Sequence, residues 1–147
     1  MAAMGQVVFL QRGPKKKEPM EPAPVLKVVE NLGIDGDHHA KPGGSRQVLF
    51  MAEENCDAFG LVPGEVRENI VTRGIELQSL PAGTRLEIGD AVFEITKDCE
   101  PCIFIERLRP GVDLRRRMER RRGMLARVLK SGEVRVGDSI PVTRPPT

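Results

Sequence analysis

Glycine and proline punctuate this sequence so often that only short pieces of regular structure fit between them. The chain carries 15 Gly and 12 Pro in 147 residues, and the apolar stretches they separate run for only a handful of positions. That spacing suits many short strands joined by tight turns, the pattern of a barrel or sandwich. Regular strand–helix alternation is absent, which disfavours a doubly wound α/β fold. The expected fold class is mainly β: a closed or partly open β-barrel of about seven strands with two or three short helices.

Strand patterns are read at residues 6–10, 25–29, 46–51 and 66–72. Residues 84–88 and 91–96 flank Gly89-Asp90 and read as a tight hairpin. Residues 124–129 and 133–136 flank Ser131-Gly132 and read as a second one. Residues 52–59 have the composition of a short helix, stopped by Gly60 and Pro63. Another helix is expected over 114–122, with Asp113 as its N-cap and Gly123 just past its end. Ile88-Gly89-Asp90-Ala91-Val92 and Val136-Gly137-Asp138-Ser139-Ile140 echo one another, too briefly for a repeat, and point to similar turns. Residues 13–24, with four Pro and three consecutive Lys, read as a flexible loop, and 141–147 as a flexible Pro-rich tail. Residues 1–147 have the length of a single domain.

With no Trp or Tyr and five Phe, the core must be built from Val, Ile, Leu and Met. Basic and acidic side chains number 23 and 21, a net charge of +2, which argues against bulk binding to nucleic acid or a membrane surface. No apolar run approaches the ~20 residues of a membrane span. The apolar start has no charged segment before it and no cleavage site after it. The expected location is the cytoplasm. Six Arg, at 115–117 and 120–122, would spread around the second helix as a solvated face. No aromatic residue interleaves them to stack bases, so nucleic acid is disfavoured as a partner, and an acidic protein suits the run as well.

The sharpest chemical feature is Asp98-Cys99-Glu100-Pro101-Cys102. The chain has three Cys, an odd number, and without an export signal they read as reduced thiols. A thiol–disulfide couple would need a helix N-terminus to lower a thiolate pKa and a βαβ unit around the motif; the sequence shows neither. Structural zinc would need two further ligands. The only histidines, His38 and His39, are adjacent, and neighbours in an extended segment point opposite ways. Cys56 is another possible ligand that nothing orients. A thiolate that ligates a soft metal or carries sulfur is a third reading. A buried, inert pair is the fourth.

Other segments complete an ordered series. Gly33-Ile34-Asp35-Gly36-Asp37-His38 is followed by Arg46-Gln47-Val48 and by Pro63-Gly64-Glu65-Val66-Arg67-Glu68-Asn69-Ile70-Val71. The Gly-Asp hairpin and Cys99-Glu100-Pro101-Cys102 come next, then Arg122-Gly123-Met124-Leu125-Ala126-Arg127 and Val134-Arg135-Val136-Gly137-Asp138. Over nearly the whole chain this order and spacing resembles the MOSC domain family, related to the C-terminal part of molybdenum-cofactor sulfurases. The resemblance implies a β-barrel-like fold and association with the molybdenum cofactor, molybdopterin. It implies Cys102 as the metal-bound thiolate, and Arg67 with Asn69 as cofactor-binding residues.

Those residue types suit the ligand. An Arg fork grips a terminal phosphate and an Asn amide complements a pterin edge. Arg46, after a Gly-rich loop, is a candidate for a second phosphate contact. His38, beside Asp37, is a candidate proton relay. If Arg67 and Asn69 lie on a strand they project to one face. The chain lacks the extra barrel domain of the amidoxime-reducing members and the pyridoxal-phosphate domain of the sulfurases. Three functions are compatible. The first is reduction of N-hydroxylated substrates at a Cys-ligated molybdenum centre, fed by a separate reductase because no flavin, haem or Fe–S motif is present. The second is persulfide transfer from a sulfur-donor protein through Cys102. The third is a cofactor carrier without turnover.

Overall fold

The computed structural model describes residues 4–143. In chain order the elements are β1 (Met4–Arg12), β2 (Glu21–Pro22), β3 (Val25–Val29), β4 (Gly33–Ile34), β5 (Val48–Ala52), α1 (Glu53–Ala58) and β6 (Ile70–Arg73). A 3-10 turn (Leu77–Ser79) follows, then β7 (Arg85–Ile88), β8 (Ala91–Asp98), α2 (Ile103–Leu108), α3 (Leu114–Arg117), β9 (Met124–Lys130), β10 (Gly132–Arg135) and β11 (Ser139–Thr143).

Seven strands close a ring in the order β1-β11-β7-β8-β9-β5-β6, with β6 hydrogen-bonded back to β1 and β2 added beside β1. Every pair in the ring is antiparallel except β5–β6, which is parallel and joined through α1. A parallel pair cannot be linked by a tight hairpin, so a helix makes the crossover. The mainly β, barrel-forming fold expected from the sequence is the one observed.

Alternation explains most of the barrel. Leu86 and Ile88 of β7 and Ala91, Phe93 and Ile95 of β8 point inward and are buried. Phe50 meets Phe93 edge to face at 5.2 Å between ring centroids, a favoured aromatic geometry. β5 breaks the alternation, since all five of its residues are buried. Val48, Phe50 and Ala52 enter the barrel core. On its other face Met51 lies under a second layer with Cys56, Val66, Ile105, Leu114 and Met118. Leu49, on that same face, packs with Cys99 and Leu125. A strand covered on both sides reads as an unbroken apolar run, which is why 48–52 has no polar positions.

Several local expectations are overturned. Residues 124–136 are not a hairpin: β9 has both edges occupied, by β8 and β5, so β10 leaves for a three-stranded sheet with β3 and β4. The two Gly-Asp turns therefore differ in role. The first closes the β7–β8 hairpin and the second passes the chain from β10 to β11. The Arg-rich helix stops at Arg117 and does not reach Arg122. Asp113 holds the expected N-cap position, but with a left-handed φ of 56° and no side-chain capping bond; its carboxylate pairs instead with Arg116 Nε at 2.8 Å. The strand expected over 66–72 begins only at Ile70, because Arg67 takes the left-handed φ of 64°. Residues 139–143, expected to belong in part to a Pro-rich tail, form the closing strand β11. Pro141 stands opposite Met4 at the end of the β1–β11 ladder, where a missing N–H is tolerated. The remainder of that tail, 144–147, lies outside the described residues. Among the described residues no helix is long and apolar enough to cross a membrane.

Candidate functional site

A cavity of about 590 Å³ lies against the outer face of β5 and β9, beside α2. Leu49, Leu125 and the buried thiol of Cys99 give it an apolar lining. Its remaining walls are cationic. Lys16 and Lys17 come from the loop after β1, Arg46 from the approach to β5, Arg67 from the turn before β6, and Arg107 from α2. Arg122, His38, His39, Ile103 and Phe104 complete the lining, and no carboxylate is part of it.

Arg122 is the most constrained of these cations. It is 6 % exposed, its Nη2 donates to the Val66 carbonyl at 2.9 Å, and its Nε and Nη1 have no partner among the described residues. A buried guanidinium with unmet donors is costly unless an anion completes it. Arg122 acts electrostatically on Glu68, an acid that is itself fully buried. One Glu68 oxygen accepts from the Gly64 N–H at 2.9 Å while the other has no partner. Burial pushes the Glu68 carboxyl up, against the opposing pull of the Gly64 N–H and Arg122. A carboxyl raised on folding takes up a proton, so its contribution favours the folded state on the acid side and declines as pH rises through the raised value. Glu68→Gln is therefore expected to be more stable than the wild type above that range, by about 1.4 kcal/mol per pKa unit, and to match it in acid. Urea midpoints of both proteins between pH 4 and 8 check this; parallel curves would refute it.

Asp37 anchors the opposite wall. Its Oδ1 accepts from the Gly13 N–H at 2.7 Å and from the Asn69 amide at 3.3 Å. Its Oδ2 accepts from the His39 N–H at 3.1 Å and lies 3.3 Å from His39 Nδ1. Burial pushes the Asp37 carboxyl up, but the bonds from His39 and Gly13 outweigh it and hold the group below its ordinary value. The Gly13 carbonyl accepts from the His38 N–H and lies 2.8 Å from His38 Nδ1. His38 and His39 lie in a turn, not an extended segment, and the two imidazoles stand together with centroids 3.9 Å apart. That corrects the expectation that adjacency keeps them apart. Among the described residues, Asp37, His38 and His39 are the one set of three potential ligands brought within metal-binding distance, and neither thiol of the Cys99–Cys102 loop joins it.

The expected site residues divide. His38, Arg46 and Arg67 line the cavity. Asn69 does not project beside Arg67. It is fully buried, its Oδ1 accepts from the Leu49 N–H at 3.0 Å, and its amide nitrogen reaches the Gln11 carbonyl and Asp37. It pins β1, β5 and the Asp37 turn together. Arg67 Nη1 donates to the Glu18 carbonyl at 2.8 Å, and its Nη2 has no partner. Cys102 is exposed and occupies the N-cap of α2, so a helix N-terminus does exist at this motif, contrary to expectation. The next residue, Ile103, lines the cavity. Cys99 also lines it, its thiol pushed up by burial against the pull of Arg122 and Arg46. Arg122 was hidden in sequence among six similar Arg; its place in the ordered series was the only signal that set it apart.

A family model for the MOSC domain matches residues 35–141. The chain belongs to the MOSC domain family. Its members are associated with the molybdenum cofactor and with sulfurase-like function. No curated protein matches this MOSC domain in sequence. Among solved structures it is similar to the YUAD protein from Bacillus subtilis, with a TM-score of 0.85 and 21% identity, covering 99% of each chain. YiiM from Geobacillus stearothermophilus gives 0.73 at 17% identity over 95% of this chain and 75% of that one. YiiM from Escherichia coli gives 0.67 at 17% over 100% and 72%. These likenesses establish the fold. The cavity fits the family's cofactor on chemical grounds: unmet guanidinium donors for a phosphate, an apolar lining for a fused ring, and one thiol in the lining, Cys99, with Cys102 at its edge, for a soft metal.

Proposed function

We propose that this MOSC domain binds the molybdenum cofactor in the cationic cavity and reduces N-hydroxylated substrates with electrons from a separate reductase. Arg122, Arg67 and Arg46 would hold the anionic end, and Cys102, at the rim one residue from Ile103, would be the thiolate ligand. Bound there, the cofactor supplies two-electron redox chemistry that no side chain of this chain provides. The protein's own part is to neutralise the phosphate, keep the ring on the apolar lining formed by Leu49 and Leu125, and present His38 and His39 to the substrate. The observation that carries this reading is Arg122, a guanidinium 6 % exposed with two unpartnered nitrogens in a wall without carboxylates.

The test is purification from a cofactor-producing host, with molybdenum content, pterin fluorescence and the cofactor dissociation constant compared across variants. Removing a charge-assisted pair costs about 1.5–3 kcal/mol, so Arg122→Ala is expected to weaken cofactor binding roughly 10- to 150-fold. Arg122→Lys should recover part of it. Arg116→Ala, on the exposed Arg run, should change nothing. Unaltered affinity in a folded Arg122→Ala protein would remove the basis of the proposal. A second reading, sulfur transfer, is favoured by the exposure of Cys102, since a donor protein must reach the thiol it loads. A labile extra sulfur on Cys102 with no molybdenum would support it. Bound cofactor without turnover would make the domain a carrier.

A further inference from the structure

Reduction of an N-hydroxylated substrate consumes two protons as well as two electrons. The N–O bond breaks, one proton leaves with the hydroxyl as water, and the nitrogen gains the other in place of the oxygen. The reductase supplies the electrons, so the cavity must supply the protons. We infer that the Asp37–His39 pair is the proton-delivery device of this site, with His39 Nε2 as the donor and Asp37 as the positioning residue behind it. This rests on the proposed function.

The geometry favours His39 over its neighbour. With Asp37 Oδ2 at 3.3 Å, His39 Nδ1 carries its hydrogen toward a carboxylate, which leaves Nε2 free to give and take a proton. His38 Nδ1 faces a neutral carbonyl, that of Gly13. Asp37 cannot turn away, because its Oδ1 is held by the Gly13 N–H and the Asn69 amide. Its side chain is wholly inaccessible while that of His39 is 42% exposed, so the ring can be recharged from solvent after each transfer.

The other charged groups around the cavity act in the same direction. Lys16 and Lys17 face it from the loop after β1, Arg46 and Arg67 from the approaches to β5 and β6, and Arg107 and Arg122 from the α2 side. All are cations. They oppose a metal ion at the Asp37–His38–His39 set. Among the described residues Asp37 is the single anion in hydrogen-bond contact with either imidazole. Cys99 is the remaining titratable group in the lining, and its burial holds the thiol protonated.

Three measurements test the pair. In the holoprotein, His39→Gln is expected to lower the turnover number for an N-hydroxylated substrate by about 100-fold, to abolish the rise of rate on acidification, and to leave molybdenum and pterin content unchanged. His38→Gln, whose ring also lines the cavity, should lower the rate but keep its rise on acidification. Nitrogen-15 NMR should show His39 as the Nδ1–H tautomer, with a downfield Nδ1 proton that disappears in Asp37→Asn. Asp37 is buried, so that variant is read only where its urea midpoint shows a folded protein; His39→Gln carries the test alone otherwise. A His39→Gln protein with wild-type rate and pH profile would overturn the assignment, as would a His39 ring protonated only at Nε2. If the wild type takes up neither molybdenum nor pterin, the proposed function fails, while the tautomer of His39 still decides the pair.

Discussion

Replacing Gly123 by alanine is expected to destabilise the domain by about 4 kcal/mol or more, at the severe end for a single substitution. Two independent causes add. Gly123 has φ +130°, which side-chain-bearing residues rarely adopt. Its Cβ would also fall on the Phe50 carbonyl oxygen, well inside van der Waals contact, and that oxygen belongs to the central strand β5 and cannot move without breaking the barrel. A shift in melting temperature of roughly 8–16 °C follows. Gly43→Ala is the control: its φ is +71° but nothing lies within 4 Å of the added carbon, so only the backbone term remains, about 1–2 kcal/mol. Equal losses in the two variants would show that the Phe50 contact relaxes. Because the Gly123 carbonyl also accepts from the Cys99 N–H at 2.9 Å, Gly123→Ala should disturb the cavity in whatever fraction still folds.

Cys102→Ser is expected to bring molybdenum content to background, whereas Cys56→Ser retains it. A hydroxyl is a poor substitute for thiolate at a soft centre. Cys56 cannot take over: it is buried in the layer beneath α2 and α3, and burial pushes its thiol up to about 12, so it stays protonated. Cys99 is the informative third variant, since it lines the cavity and Cys102 stands just outside the lining. Metal analysis of all three decides. Loss of metal in Cys99→Ser with full loading of Cys102→Ser would transfer the ligand role to the buried thiol.

Much of the barrel was legible in the residues because burial on one face imposes period two, as in β7 and β8. The helix α1 was legible from composition and its Gly60 and Pro63 stops. Failures share one physical cause: the deciding contact is remote in sequence. Residues 114–122 have helical composition, yet the chain turns left-handed at Arg120 and delivers Arg122 to Val66. Residues 66–69 alternate like a strand, yet the buried bonds of Glu68 and Asn69 to Gly64, Leu49 and Asp37 override the pattern. Ser139–Thr143 looked like a tail because Pro141 has no N–H, and only its partners β1 and β7 make it a strand. At the site, the family resemblance pointed to Arg67 and, with residue type, to Arg46 and His38. Neither showed that Asn69 would face inward or that one Arg of six would be buried.

The ring is closed by its first and last strands, Met4–Arg12 against Ser139–Thr143. During synthesis the six earlier strands of the ring must wait for the seventh, and its partners lie at positions 4–6 and 85–86. Loop closure over that separation makes folding slow, on the order of milliseconds to seconds, as for other chains dominated by non-local pairing. Until β11 arrives, β1 and β7 each expose an unpaired edge able to accept a strand from another nascent chain. The vulnerable period of this protein therefore lasts until β11 joins the ring, and delaying its arrival should lower soluble yield without altering the finished fold.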